Sequence, residues 1–364
     1  MKSMPFTRVV GHCTRQVADH GHERKTHAWV CAEVARLLKI ETTLPAGDGL
    51  IVPGTYHIPD ETLTATQARA LGIADVGEVL GGIVPHAFLA TKVIGHPLVG
   101  DDATCVDGWS QPLAKALQVA TLPGYTVFAA ADAEQALTRL QPAGPVRLKL
   151  PTGVGGGGQW KIEDTAQLRQ LLTQLPSDYL ALHGAVLEHN VLDPVTHSVG
   201  EVMLAGVQIA YVGTQCSVQD AEGAEVYGGS SLRIQRGSLE ALAVSALPPL
   251  QRKVVEQACI YDRFIAAAYP ALQISRRNYD VISGRDLRNA EVGGVLEQSW
   301  RVGGATPAEL AAIECFLADP TSQWVTASTH ELYRGEPPDD AQIYYRAEPG
   351  AAGPRYKYRK VSVD

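Results

Sequence analysis

Two constellations in this 364-residue chain carry chemistry. The first is Val146-Arg147-Leu148-Lys149-Leu150-Pro151-Thr152-Gly153-Val154-Gly155-Gly156-Gly157-Gly158-Gln159-Trp160, an apolar strand with one lysine near its end that runs into a glycine loop. Glycine has no side chain, so its backbone N–H groups approach a phosphate closely and take φ > 0 without strain. Lys149 adds a positive point charge beside them. Together they read as a cover for a nucleoside triphosphate. The spacing G-x-G-x-x-G at Gly153, Gly155 and Gly158 is a weak dinucleotide signal by itself. A dinucleotide site needs a helix that starts inside the loop. Here Gln159-Trp160-Lys161-Ile162 has the pattern of a returning strand, and the next helix start is Asp164. No Gly-Lys-Ser/Thr follows, which disfavours a P-loop. A plain glycine hairpin is the bland alternative.

The second constellation is Asp280 with Glu297. Each carboxylate lies within or at the end of an apolar strand, in Asn278-Tyr279-Asp280-Val281-Ile282 and Val295-Leu296-Glu297-Gln298-Ser299-Trp300-Arg301. An unpaired charge there would be costly. The short connection 283–294 lets the two strands pair. The carboxylates can then hold Mg²⁺, which takes few protein oxygens and completes its shell with phosphates and water. Period-two alternation puts Glu297, Ser299 and Arg301 on one strand face, an oxygen ligand, a hydroxyl and a guanidinium side by side. A structural Asp–Arg or Glu–Arg pair is the alternative.

The elements that must position these groups fall into two regimes. Residues 1 to about 100 read as an α/β unit with a wound parallel sheet. It has a strand at Arg8–Gly11, a helix capped by Thr26 and running to Leu38, a strand at Gly49–Val52 stopped by Pro53, and a helix near Thr64–Leu71. A loop over 95–108 follows, then a helix near 111–119 and a strand over Tyr125–Phe128. Asp132 with Gln135, and Asp164 with Gln167, each have capping-box spacing for further helices. From Ala185 the chain turns to strands, with Ala185–Glu188 first and a hairpin over Ser198–Val212 turning near Ala205-Gly206. A long helix over Pro249–Ala268 carries Val254, Ala258, Tyr261, Ile265 and Ala268 on one face. Two strands over 278–282 and 292–298 and a helix from Thr306 or Pro307 to Leu317 complete the module. Residues 333–364 are expected to wrap the surface.

Composition excludes several classes. The chain is 45% hydrophobic and 19% charged, as expected of a soluble globular protein. A net charge of -8 argues against a nucleic-acid partner. The one basic run, Arg355-Tyr356-Lys357-Tyr358-Arg359-Lys360, reads as a solvated terminal strand rather than a phosphate hook. No apolar run is long enough to span a bilayer, and the N-terminus has no secretory signature. Six scattered cysteines with no CxxC pair point to a reducing cytoplasm and no disulfide framework. His12, His20, His22 and His27 with Cys13 match no zinc spacing. They form a substrate-facing loop or a mobile surface loop. His183 reads as a packed or capping histidine. Arg276 and Arg277 suit an anionic substrate or strand-edge solvation.

A lysine strand with a glycine flap, then a hinge strand ending in glutamate, then Asp followed by Glu-x-Asn-x-Arg, is the order found in ATP-grasp enzymes. The chain resembles that superfamily over about residues 105–315, and its flap resembles those of biotin carboxylases and related carboxylate ligases. The whole chain also looks like a bacterial ATP-grasp family without an assigned substrate. The resemblance implies an N-terminal pre-ATP-grasp-like domain (1–104) with a wound parallel sheet. A two-subdomain ATP-grasp fold of α/β plus α+β class follows, with the flap in 105–184 and the metal strands in 185–332, then a C-terminal tail (333–364).

By position, Lys149 would contact the α- or β-phosphate and Gly155, Gly156, Gly157 and Gly158 would close over the β- and γ-phosphates. Glu188 and the backbone from His189 to Val191 would form the adenine and ribose hinge. Asp280 and Glu297 would bind Mg²⁺, with Ser299 at the position of the family's asparagine ligand. Arg301 would face the transferring phosphate or the carboxylate, with Arg233 and Arg236 as weaker phosphate or substrate contacts. The family's earlier lysine has no clean match near Ser110 or Gln111, and Lys115 comes late. The implied activity is an ATP- and Mg²⁺-dependent ligase acting on small-molecule carboxylate and amine substrates. The alternatives are a binding or regulatory module that has lost catalysis and, from the glycine spacing alone, a nicotinamide-dependent oxidoreductase. The oligomeric state stays open, a homodimer being one option.

Overall fold

The computed structural model describes residues 6–14, 21–40, 43–45, 51–151 and 158–363. The N-terminal region is a three-stranded parallel sheet in the order Thr43–Pro45, Arg8–His12, Thr55–Pro59. Parallel strands need a crossover, and the helix Gly21–Leu37 supplies one between the first two. That helix begins upstream of Thr26, so Thr26 is not its cap. Its hydroxyl donates back to the His22 carbonyl at 2.8 Å instead. The strand expected at Gly49–Val52 is also displaced. Gly49 and Leu50 lie outside the described residues, Ile51 and Val52 are irregular, and the strand starts at Thr55, beyond Pro53 and Gly54.

A four-stranded antiparallel sheet follows, in the order Gly124–Val127, Ala185–His189, Val146–Lys149, Gln159–Ile162. Helices Ala130–Leu140 and Thr165–Thr173 cover it over a core that includes Leu137, Leu148, Leu168 and Leu187. Asp164 caps its helix as expected, accepting from the Gln167 N–H at 2.8 Å. Asp132 does not. The helix starts at Ala130, and the Asp132 carboxylate accepts from the Thr104 N–H at 3.2 Å.

The largest element is an eight-stranded antiparallel sheet. Its order is Glu291–Ser299, Arg276–Arg285, Leu192–Leu204, Val207–Gln219, Glu225–Arg236, Trp324–Leu332, Tyr356–Val363, Gln342–Arg346. The hairpin between the third and fourth turns on Ala205 (φ 52°) and Gly206 (φ 77°), the positive-φ pair that a two-residue turn requires. Helix Pro249–Ala268 packs on one face through Val254, Ala258, Tyr261 and Ile265, while Ala268 is exposed. Helix Thr306–Ala318 and the N-terminal helix pack on the other.

The C-terminal segment does not wrap the surface: two of its stretches are strands of this sheet. The middle of its basic run is correspondingly buried, while Arg355 at its start is exposed. Arg359 is buried against Glu33 at 2.9 Å, and Lys357 against Glu331 at 2.8 Å. The chemistry-bearing faces of the two antiparallel sheets meet through the turn Lys92–Gly95, which contacts strands of both.

Candidate functional site

The strands carrying Asp280 and Glu297 pair antiparallel, and the two acids stand directly opposite each other. A β-bulge makes this possible. Val281 pairs with Val295, and Leu296 is the extra residue before Asp280 pairs with Glu297. Val295 belongs to the core under the long helix, so strict alternation would send Glu297 there too. The bulge turns it to the opposite face. Ser299 then pairs opposite Asn278 on the same face as the acids.

Asp280 is held by two amides. The Gln215 Nε2 donates to its Oδ1 at 2.7 Å and the Asn278 Nδ2 at 2.8 Å. Burial raises its carboxyl above the ordinary range, the Glu297 charge adds to this, and the two amides oppose it. Glu297 moves the other way. Burial alone would raise it, but the charge and hydrogen bond of Lys92, then the charges of Lys149 and Arg301, outweigh that and hold it below the usual carboxylate value. The Lys92 Nζ lies 2.8 Å from its Oε2. The flap strand and the acid strand, more than 130 positions apart, therefore act on one carboxylate.

Lys149 is 3% exposed, and its Nζ is 2.5 Å from Oε1 of Glu188, itself 2% exposed. The His96 Nε2 lies 3.5 Å from the other Glu188 oxygen and 3.1 Å from the Leu122 carbonyl. Burial lowers the His96 pKa, against the raising effect of the Glu188 charge, and so favours the neutral imidazole. The ladder Val146↔Ile162 to Lys149↔Gln159 is antiparallel, and the Leu150 N–H extends it to the Gly158 carbonyl. The described chain after the glycines is the strand Gln159–Ile162, where a dinucleotide site requires a helix. Gly158 takes φ +69°. Gly155, Gly156 and Gly157 lie outside the described residues.

Residues 9–359 match the model of a family described as protein of unknown function (DUF3182). The chain belongs to this family. Comparison with curated proteins gives no match. Among solved structures, N5-carboxyaminoimidazole synthetase from Staphylococcus aureus complexed with ADP superposes with a TM-score of 0.56 at 13% identity, covering 99% of this chain and 95% of that one. Biotin carboxylase from Campylobacter jejuni, in a β,γ-ATP complex, gives 0.54 at 11%, covering 98% and 88%. Phosphoribosylamine–glycine ligase from Thermotoga maritima gives 0.53 at 10%, covering 98% and 92%. The fold of this family member is the ATP-grasp fold, as its flap and acid strands lead one to expect.

Several expected contacts fall elsewhere. Arg236 is a structural anchor. It donates to the Phe316 carbonyl at 2.6 Å and the Ser322 carbonyl at 3.3 Å, at the end of helix Thr306–Ala318. Arg233 alternates with the buried Leu232 and Ile234, so it is on the sheet face away from the acids, stacked on Trp324 at 4.2 Å. Arg276 forks onto Glu309 at 2.7 and 2.9 Å and also donates to the carbonyls of Ser299 and Arg301. Arg277 pairs with Asp262 at 2.8 Å. Neither is available to an anionic substrate, but Arg276 fixes the backbone that presents Arg301. The His189 Nε2 lies 3.2 Å from the Leu140 carbonyl and Val191 packs against Gly284, side-chain contacts that do not bear on the hinge expected of the backbone there.

Lys92 is the residue that sequence reasoning missed. Its signal is the one used for Lys149, a single lysine in an apolar run, Ala90-Thr91-Lys92-Val93-Ile94. The early lysine expected near the helix at 111 has no match there, and Lys92 lies nineteen positions upstream.

Of the histidines, His12 and His57 form a buried pair at 2.9 Å, and His27 reaches the Ile58 carbonyl at 2.9 Å. His20 lies outside the described residues. Among the described residues no group of three or more His, Cys, Asp or Glu side chains is arranged to hold a metal. Among them, too, no helix is long and apolar enough to cross a membrane.

Proposed function

We propose that this protein is an ATP- and Mg²⁺-dependent ligase that activates a small carboxylate as an acyl phosphate for attack by an amine or a similar nucleophile. The observation that carries the reading is the contact of Lys92 with Glu297 at 2.8 Å, opposite Asp280, with the charges of Lys149 and Arg301 also lowering the Glu297 pKa. Phosphoryl transfer requires positioning and neutralisation of charge on oxygens, and three cations around a two-carboxylate face supply both. Solved structures with this fold include an ADP complex and a β,γ-ATP complex, which supports a nucleotide as a ligand of this chain too.

The donor set fits Mg²⁺. It offers two hard oxygens in register, one of them fixed by two amides, and leaves the remaining positions to phosphate and water. Bound there, the ion would neutralise charge on the phosphate oxygens. Asp280 and Glu297 would hold it, with Ser299 beside them. Lys149 and Lys92 would bind phosphate oxygens. Glu188 would orient Lys149, and the backbone from His189 to Val191 would line the adenine. Arg301 would bind the carboxylate or the group in transfer. The flap from Gly155 to Gly158 would exclude water from an acyl phosphate that water destroys.

The alternative of a module that has lost catalysis rests on Ser299 and on a missing early lysine. Lys92, buried beside Glu297, supports a substitute for that lysine. The test is a screen for ADP release against amino acids, dipeptides and small dicarboxylates. Release stimulated by one class names the substrate. Binding of Mg·ATP without stimulation by any class favours the module that has lost catalysis, and no heat of binding at millimolar nucleotide overturns the ligase reading and favours that module.

A further inference from the structure

Gln298 lies beside Glu297 in sequence and on the opposite face of the strand, where it is 4% exposed within an otherwise apolar core. A carboxamide buried there is costly unless its donors and its acceptor are all used. All are used. Its Nε2 donates to the Leu89 carbonyl at 2.5 Å and to the Thr91 carbonyl at 2.7 Å, and its Oε1 accepts from the Tyr261 hydroxyl at 2.9 Å. Leu89 and Thr91 belong to the chain that enters the turn Lys92–Gly95. Tyr261 belongs to the long helix Pro249–Ala268 and is itself buried.

Adjacent residues of one strand thus grip the two ends of the same lysine. Glu297 meets the Lys92 ammonium at 2.8 Å, while Gln298 holds the backbone just before it. A lysine is a point charge on a flexible stem, so its placement depends on how firmly its backbone is held. The turn carrying Lys92 is four residues long, and so short a turn has few hydrogen bonds of its own to hold it. We infer that Gln298 is the positioning residue for Lys92, keyed to the long helix through Tyr261, so that the strand presenting the acid pair also sets where the opposing cation stands. This rests on the nucleotide reading above. It assigns Gln298 no contact with nucleotide or substrate.

The test is Gln298→Met, which keeps the volume and removes both donors and the acceptor. Titration of the full chain with Mg·ATP by calorimetry should show affinity weakened about tenfold, the scale expected for loss of a buried hydrogen-bonded group. In a Lys92→Met background the same substitution should produce no further weakening, because its effect passes through Lys92. Equal losses in both backgrounds, or none in either, overturn the inference. Tyr261→Phe removes only the hydroxyl that orients the amide. It should give a smaller loss with the same dependence on Lys92, and it serves if Gln298→Met does not fold. Hydrogen exchange over 89–95 separates this inference from the nucleotide reading. If the wild type gives no heat with Mg·ATP, that reading fails, while faster exchange over 89–95 in Gln298→Met still supports positioning and unchanged exchange overturns it.

Discussion

The ammonium of Lys92 stands 2.8 Å from Glu297, across the junction between the turn Lys92–Gly95 and the strand Glu291–Ser299. Lys92 is 4% exposed, so its charge was withdrawn from water to make this contact. A structural pair alone would gain little, since desolvation offsets most of the Coulomb attraction. A lysine placed for phosphate gives the burial a purpose. Lys92→Met is therefore expected to abolish ATP-dependent turnover and to weaken Mg·ATP binding by about 1.5 to 3 kcal/mol, the value of a charge-assisted hydrogen bond. Calorimetry checks the binding and ADP release the turnover. Unchanged turnover in this variant removes Lys92 from the site.

Lys149 and Glu188 demand a paired experiment. Both are almost wholly buried and lie 2.5 Å apart. Lys149→Ala alone strands the Glu188 carboxylate, at an expected cost of about 3 to 5 kcal/mol. Loss of activity in that variant could then report unfolding. The double substitution Lys149→Met with Glu188→Gln removes both charges and should recover most of the stability in a denaturant melt. It should remain without ATP turnover. Turnover restored along with stability would assign Lys149 a purely structural place.

The lysine strand, its antiparallel return and the opposed acids are legible in sequence because each has a short-range cause. One charge in an apolar run, a glycine loop between two strand patterns and a tight connection between two acid-bearing strands all act within about thirty residues. The long helix is legible for the same reason, since Pro249 opens it and a periodic apolar face sustains it. The bulge at Leu296 is not. Alternation predicts the same relation between Glu297 and Ser299 with or without it, and only the register of pairing with Arg276–Arg285 shows that Val295 faces the other way. Arg276 was open to two readings because Glu309, its partner, is thirty-three residues downstream on a helix. The C-terminal strands reach the sheet edge through pairings with Trp324–Leu332 that no local pattern encodes.

Arg276 should prove structural and indirectly important. Its guanidinium forks onto Glu309, which also accepts from the Tyr211 hydroxyl at 2.6 Å; the same hydroxyl lies 3.1 Å from Oδ1 of Asn278, which holds Asp280. Lysine keeps the charge but cannot fork. Arg276→Lys is expected to destabilise the fold by about 3 kcal/mol, within the range for breaking a buried pair. Because the same guanidinium holds the Arg301 carbonyl, turnover at a temperature where the variant remains folded should fall as well. A melt with wild-type midpoint contradicts the first expectation, and full turnover the second.

The imidazole pair of the parallel sheet makes a prediction about pH with a definite sign. Burial, then the charges of His12 and Arg8, lower His57 from 6.5 to about 4 in the folded protein. Burial lowers His12 and His27 in the same direction. The unfolded chain binds the extra proton at the ordinary value, so between pH 6.5 and about 4 it holds more protons than the folded one. Stability contributed by a neutral His57 is thus complete above 6.5, falls as the pH is lowered through that window, and stops falling below about 4. Carboxylates add an acid slope of their own, so the difference between wild type and His57→Gln isolates the histidine. Glutamine has no proton to take up here, and the variant's melting temperature should fall less steeply over the window. Parallel profiles for the two proteins would mean that His57 keeps an ordinary proton affinity, and that the ends of the parallel strands are more open to water than their burial indicates.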